Sequence, residues 1–395
     1  MKIVKLEDFH ADGGWQDFSF LKITTDEGLV GWSEFNEARG QAGLTGIIRS
    51  LGKSVIGEDP REINRIDAML ASQTRLGGLQ SQALAAIENA CLDISAKALG
   101  VPVYQMLGGA VRQRLPVYWS HCALFRARYG SFFGGRPIDR PEITRLEDLV
   151  ELGREVKASG FKALKTNILV FDGKGGVRAH NPGQGRGVAH PDRNITIDEI
   201  DAAVDQMSAL REGAGPGVRL MLDLNFHFKP EGYKILAKKL EPLDLLWLEM
   251  DSYEPEALSL IRQTTSTPIS SLEAVLGRRN LRPYLEKRSV DVAIIDVEWN
   301  GLVESLRMAS MADAYDVNVA SHTASGPLST IVSAHFGAVV PNFRIMEYDV
   351  DEIPWRQKLL TNPCRIENGE FLLPTGPGWG TEIDEEVLHA HPPRR

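Results

Sequence analysis

The stretches VRLMLD (218–223), LLWLE (245–249) and PISSLE (268–273) decide how this chain folds. Each is a short apolar run closed by a carboxylate: Asp223, Glu249 and Glu273, which lie 26 and 24 residues apart. That interval is one strand, a loop and a helix, the repeat of a β/α unit. Side chains at the carboxyl ends of successive parallel strands converge on one mouth. A single acid at a strand end is as readily a polar loop residue, but three in phase repel one another unless a cation lies between them. Carboxylate oxygens suit a hard ion such as Mg²⁺ better than zinc, which prefers His and Cys. The expected metal ligands are therefore Asp223, Glu249 and Glu273.

The phase continues outward. VAIIDVE (292–298) carries Asp296, VNVASH (317–322) ends at His322, and FRIMEY (343–348) carries Glu347, at intervals of 23, 26 and 25 residues. Upstream, FKALKTN (161–167) ends in Lys165 and Asn167, and LPVYWSH (115–121) is a further candidate strand. Eight such strands with helix-length segments between most of them close as a (β/α)₈-type barrel, with the site at the strand carboxyl ends.

A chain of 395 residues holds such a barrel and a second domain. Residues 2–9 and 18–35 alternate like antiparallel strands, with DEG as a turn. SQALAAIENACLDISAKALG (81–100) has helical spacing and a glycine stop. The fold expected is α/β: an N-terminal α+β capping domain over 1–112, a modified barrel over 113–350, and a tail over 351–395 that packs back on the cap. The net charge of −9 argues against nucleic acid and anionic membrane surfaces as partners. No apolar run approaches the length of a membrane span. Three cysteines without metal-ligand spacing, and a start lacking a signal-peptide core, lead us to expect a reduced, cytoplasmic protein.

One interval is irregular. Lys165 and Asp223 lie 58 residues apart, and the excess is the Gly-rich stretch 171–194. A loop that long at a strand end is expected either to act as a lid or to be a solvated excursion. His180 and His190 within it are expected to be surface residues.

The order of these groups resembles the enolase superfamily and, within it, the mandelate racemase subgroup. LDLN carries Asp223, WLEMD carries Glu249, SLE carries Glu273, IIDVEWNGL carries the Asp of a His–Asp dyad, ASHTASGPL its His, and IMEYD the last-strand Glu. AIENACLDISAKALGVPVYQMLGG (86–109) is similar to the family's domain junction. The resemblance implies a capping domain on a modified barrel, bound Mg²⁺, and proton abstraction next to a substrate carboxylate. It implies His322 as the base, Asp296 fixing its tautomer, and Glu347 supporting the substrate carboxylate.

The chain departs from the racemase pattern at the second strand. Racemases of the subgroup read Lys-x-Lys there, and this chain reads Lys165-Thr166-Asn167. Asn cannot exchange protons, so a two-base racemase loses one base. Several acid-sugar dehydratases of the subgroup are similar and manage with His alone. Lys165 is then expected to bind the carboxylate electrostatically and Asn167 to hydrogen-bond it. Asn225, Trp15 in the loop ADGGWQDF (11–18) and Arg126 in LFRARYGSFFGG (124–135) are further expected substrate contacts, with Arg128 and Tyr129 beside Arg126. The leading expectation is a dehydratase turning an aldonate or aldarate sugar acid into a 2-keto-3-deoxy acid, in a homo-oligomer. Epimerase or cycloisomerase activity is the first rival, and an inactive sugar-acid binding barrel the second.

Overall fold

The computed structural model describes residues 1–37, 41–73, 78–127, 140–179 and 193–393. It begins with an antiparallel sheet, β1 (Ile3–Asp12), β2 (Asp17–Thr25) and β3 (Val30–Phe35), in that order. Strand alternation puts Ile3, Leu21, Ile23 and Phe35 against helices Leu44–Gly52, Ile63–Ala71 and Leu79–Leu99. The last helix is Ala-rich, which lets β3 lie close: a Cβ on Gly31 would stand 2.2 Å from the Ala90 carbonyl oxygen. Gly100, at φ 70, ends that helix in the left-handed conformation that glycine adopts without strain.

The chain then enters the barrel with β4 (Arg114–Ser120) and β5 (Ala163–Asn167). A small antiparallel hairpin follows, β6 (Leu169–Phe171) and β7 (Val177–Ala179). The barrel continues with β8 (Arg219–Asp223), β9 (Trp247–Glu249), β10 (Ile269–Ser271), β11 (Val292–Asp296), β12 (Asn318–His322) and β13 (Phe343–Asp349). Among the described residues, β4, β5 and β8–β13 are eight parallel strands, and β13 pairs with β4 to close the ring. Helices connect them on the outside, from Leu146–Ala158 to Pro327–Val339. The architecture is the modified (β/α)₈ barrel with an N-terminal sheet-and-helix cap expected from the sequence.

The lumen is packed by a separate apolar cluster that includes Tyr118, Ala163, Met221, Trp247, Ile294, Ala320 and Ile345. Side chains alternate in and out along each strand, so a residue two positions beyond a lumen residue also faces inward, one layer nearer the mouth. Ala163 leads to Lys165, Met221 to Asp223, Trp247 to Glu249, Ile294 to Asp296, Ala320 to His322 and Ile345 to Glu347. Apolar lumen and polar mouth are two layers of one pattern.

Cap and barrel are joined at helix N-termini, where unpaired N–H groups need acceptors. Glu34 of β3 accepts from Gly326 N–H and, at 2.9 Å, from Ser329 N–H, at the start of the helix that follows His322. Glu88 accepts from Val303 N–H at 2.9 Å and Asn89 from Leu302 N–H at 3.0 Å. Beyond β13 the chain forms β14 (Ile366–Glu367) and β15 (Glu370–Leu372), and β15 lies antiparallel on the start of β4. It then crosses to the cap: Trp379 donates its indole N–H to the Trp32 carbonyl and its backbone N–H to Asp93, both at 2.8 Å. Trp379 is fully buried, and an indole burying roughly 200 Å² contributes at most about 5 kcal/mol.

Candidate active site

Non-glycine residues at positive φ follow three of the described strands at the mouth: His121 (47°) and Ala123 (73°) after β4, Asn225 (44°) after β8 and Leu272 (92°) after β10. Such conformations cost about 1–3 kcal/mol each and persist where surrounding structure fixes them. Leu272 immediately precedes Glu273, and its N–H donates to Asp251 Oδ1 at 3.1 Å. The strained turn thus aims Glu273 over the mouth.

Lys165 is buried at the centre. Its Nζ lies 2.9 Å from Glu249, 3.3 Å from Asp223 and 3.3 Å from Glu347. Burial works against its charge, but Glu249 and Glu347 outweigh it and hold the proton far more tightly than usual. Burial pushes Glu249 up to about 7 against the pull of Lys165, with Asp223 and Glu347 adding to the rise. Burial likewise pushes Glu273 up to about 8, opposed by His322 and helped by Asp251, Asp223 and Glu249.

His322 Nδ1 lies 2.6 Å from Asp296 Oδ2, and its Nε2 lies 3.6 Å from Glu273 Oε2. Asp296 is itself fixed by accepting from Trp299 N–H at 2.7 Å. The ring is buried with Trp299 at 5.1 Å between centroids. Burial disfavours its charge, but Glu273 and Asp296 more than compensate and raise His322 to about 10. Glu347 is held well below the usual carboxylate range: burial opposes this, and Lys165, His322 and His121 outweigh burial. It accepts from Ser120 Oγ at 2.5 Å and from Thr323 N–H at 2.8 Å.

The structure therefore brings Lys165, Asp223, Glu249, Glu273, Asp296, His322 and Glu347 to one mouth. Among the described residues, no three His, Cys, Asp or Glu side chains close on one point at ligating geometry. The Lys165 ammonium stands between Asp223 and Glu249, and Glu273 is turned to His322. The donor set nonetheless fits a hard divalent cation. It is all carboxylate oxygen, and burial pushes Glu249 and Glu273 up, a cost that a divalent cation among these carboxylates would offset.

The expected substrate contacts fall into two groups. Asn167 is buried at the mouth, with Nδ2 donating to the Asp223 carbonyl oxygen at 3.2 Å. Trp15 packs at the mouth, 5.7 Å from Phe125 and 6.2 Å from His121 between centroids. Its loop is pinned by Gln16 Nε2, which donates to the Ala324 carbonyl at 2.7 Å. Asn225 turns inward on the protein: Nδ2 donates to Asp223 Oδ1 at 2.6 Å, so it orients a candidate ligand. Arg126 departs from the substrate contact expected of it. It is buried, its Nε donates to Asp351 at 2.9 Å, and its two terminal nitrogens donate to Glu155 at 2.7 and 3.0 Å. Arg128, Tyr129, His180 and His190 lie outside the described residues, as does most of the stretch read as a lid.

Two mouth residues were missed. Asp251 is buried, accepts from Ser271 Oγ at 2.7 Å, and sits two residues beyond Glu249 on the same inward face. The period-two rule applied to WLEMD would have found it. His121 follows inward-facing Ser120, so its strand parity points outward, and only the positive φ turns it to the mouth.

Residues 148–387 match the family described as enolase C-terminal domain-like, and residues 12–108 match the mandelate racemase / muconate lactonizing enzyme N-terminal domain. The D-xylonate dehydratase of Haloferax volcanii is 29% identical over 99% of this chain and 89% of its own length. The D-galactonate dehydratase of Pectobacterium atrosepticum is 30% identical over 98% and 94%. A proposed L-alanine-DL-glutamate epimerase from Burkholderia xenovorans strain LB400, solved with magnesium and fumarate, is 42% identical with a TM-score of 0.95, over 100% of this chain and 96% of that one. With both family domains matched in order and the strand-end groups on one mouth, the chain belongs to the enolase superfamily, in its mandelate racemase subgroup.

Proposed function

We propose that this protein is a Mg²⁺-dependent acid-sugar dehydratase. It takes the proton next to the carboxylate of an aldonate or aldarate and eliminates the β-hydroxyl, giving a 2-keto-3-deoxy acid. The observation that carries the reading is the His322–Asp296 dyad facing the carboxylate cluster, with Asn167 where the subgroup's racemases carry a second Lys. Relatives named as dehydratases of D-xylonate and D-galactonate support it.

Asp223, Glu249 and Glu273 would hold the ion, which supplies positive charge to the substrate carboxylate as the α-proton leaves. Asn225 holds Asp223 in place. Lys165 adds a fixed positive charge beside the same carboxylate. Glu347, as an anion accepting from Ser120 and Thr323, holds Lys165 and so acts as a positioning residue. Asp296 keeps the proton on Nδ1 of His322 and leaves Nε2 as the base. Glu273 faces that Nε2 at 3.6 Å and, as a ligand of the ion, would no longer favour a proton there. Trp15 and Asn167 bound the space left for substrate. The cap over 1–112, the barrel over 113–350 and the returning tail over 351–395 act as one catalytic unit.

An epimerase reading is favoured by the Burkholderia protein's proposed activity. It requires Lys165 to give up a proton, which Glu249 and Glu347 oppose. A panel of aldonic and aldaric acids, assayed with semicarbazide for 2-keto product and by polarimetry for epimerisation, separates the readings. Dehydration predicts a semicarbazone-forming product with Mg²⁺ and none with EDTA. Rotation change without keto product refutes it.

A further inference from the structure

The mouth carries a second His–carboxylate pair that the reading above does not use. His121 Nδ1 lies 2.7 Å from Asp349 Oδ1. Asp349 is two residues beyond Glu347 on the inward face of β13 and pairs in register with Ser120 of β4. The arrangement repeats that of His322 and Asp296: a carboxylate at one strand end, an imidazole at the next, joined through Nδ1. The His121 ring is stacked on Phe125 (centroids 4.6 Å apart, planes at 11°) and flanked by Trp15, so its orientation is fixed. Its side chain keeps 14% exposure, and Nε2 has no hydrogen-bond partner among the described residues.

A histidine oriented by a carboxylate through one nitrogen, with the other free at a mouth, is built to bind and transfer a proton. Strands β12, β13 and β4 are neighbours, so the two dyads stand two strand spacings apart, roughly 10 Å. That is about the span of two adjacent substituted carbons with a hydrogen-bonded imidazole on each side. Glu347, between them, feels both rings.

We propose that His121, positioned by Asp349, is the acid that protonates the departing β-hydroxyl; this rests on the dehydratase reading. His322 Nε2 takes the α-proton, and the C–H electron pair becomes the new C=C bond. The β C–O bond breaks, its oxygen takes the Nε2 proton of His121, and water leaves. The enol so formed tautomerises to the 2-keto acid. His322 then returns one proton to solvent and His121 takes one up, so the enzyme is restored. His121 is catalytic in this scheme and Asp349 is a positioning residue.

The test uses the Mg²⁺-loaded full-length protein in deuterated water with D-xylonate and D-galactonate, and with their 3-deoxy-3-fluoro analogues, whose fluoride departs without protonation. Wild type, His121→Gln and Asp349→Asn are compared for α-proton exchange, 2-keto product and fluoride release. In both variants we expect keto product from the hydroxy acids to fall at least ~100-fold. Exchange and fluoride release should stay within about threefold of wild type. A fold defect would depress all three readouts, which is why the fluoro analogues are included. Undiminished keto product in His121→Gln overturns the proposal alone, as does loss of fluoride release in parallel with dehydration. Wild-type protein that neither exchanges nor eliminates from any acid of the aldonic and aldaric panel overturns the dehydratase reading and this proposal with it.

Discussion

Replacing Lys165 with Met removes the one cation among the described residues that lies within 3.3 Å of Asp223, Glu249 and Glu347. Breaking a buried ion pair from one side costs about 3–5 kcal/mol. Three carboxylates share this ammonium, which argues for the upper end. Proton uptake limits the loss, since Glu249 already sits near 7 with Lys165 lowering it and rises further without it. We therefore expect about 4 kcal/mol less stability in EDTA at pH 8, read from urea unfolding. The sign with pH follows: a carboxylate raised in the folded state is most stabilising below its unfolded value and loses that contribution as pH rises, so the deficit grows from pH 6 to pH 8. Mg²⁺ brings charge to the same carboxylates and no longer competes with an ammonium. It should bind the variant about 30-fold more tightly, which narrows the gap by about 2 kcal/mol at saturation. A gap of equal size with and without Mg²⁺ would refute the shared-site reasoning.

Other outcomes follow from single contacts. His335 is buried and neutral, accepting from Tyr104 N–H at 3.1 Å through Nδ1 and donating to the Trp379 carbonyl at 3.2 Å through Nε2; burial lowers it to about 4. The folded state then binds fewer protons than the unfolded state between about pH 4 and 6.5, so stability is lost as pH falls through that window, by roughly 3 kcal/mol in all. His335→Asn should flatten that slope in pH-dependent denaturant melts. Gly213→Ala places a Cβ 1.9 Å from the Val150 carbonyl oxygen, backbone against backbone. The helix propensity gained is only about 1 kcal/mol, and overpacking of about 3 kcal/mol outweighs it, so a net loss of about 2 kcal/mol should appear in thermal and urea melts. Asp296→Asn should reduce turnover at least ~10²-fold with KM little changed, because an amide does not stabilise the imidazolium.

The barrel and its mouth could be read from the sequence because the β/α interval and the period-two alternation are local patterns. Asp223, Glu249, Asp296, His322 and Glu347 each end a run whose preceding inward residue packs the lumen, and Glu273 keeps the β/α interval. What could not be read depends on pairing between distant segments. Arg126 looks like a mouth residue in sequence, yet Asp351, 225 residues away, and Glu155 claim its guanidinium. Asn225 looks like a substrate contact, but its left-handed backbone folds the amide onto Asp223. His121 has the parity of an outward residue, and no short-range pattern announces the positive φ that turns it. Glu34 reads as an ordinary strand residue, and only the packing of cap on barrel makes it the acceptor for the helix after His322.

In the proposed reaction one face of the substrate exchanges its proton, through His322. The direct measurement is α-proton exchange and 2-keto acid formation in deuterated water by wild type and His322→Asn, both with Mg²⁺, on the sugar acid that wild type turns over fastest. We expect deuterium of a single stereochemistry with the wild type, and loss of both exchange and dehydration by at least ~10²–10⁴-fold in the variant. Exchange that survives in His322→Asn would contradict it: Lys165 would then be a working base on the opposite face, and the enzyme an epimerase.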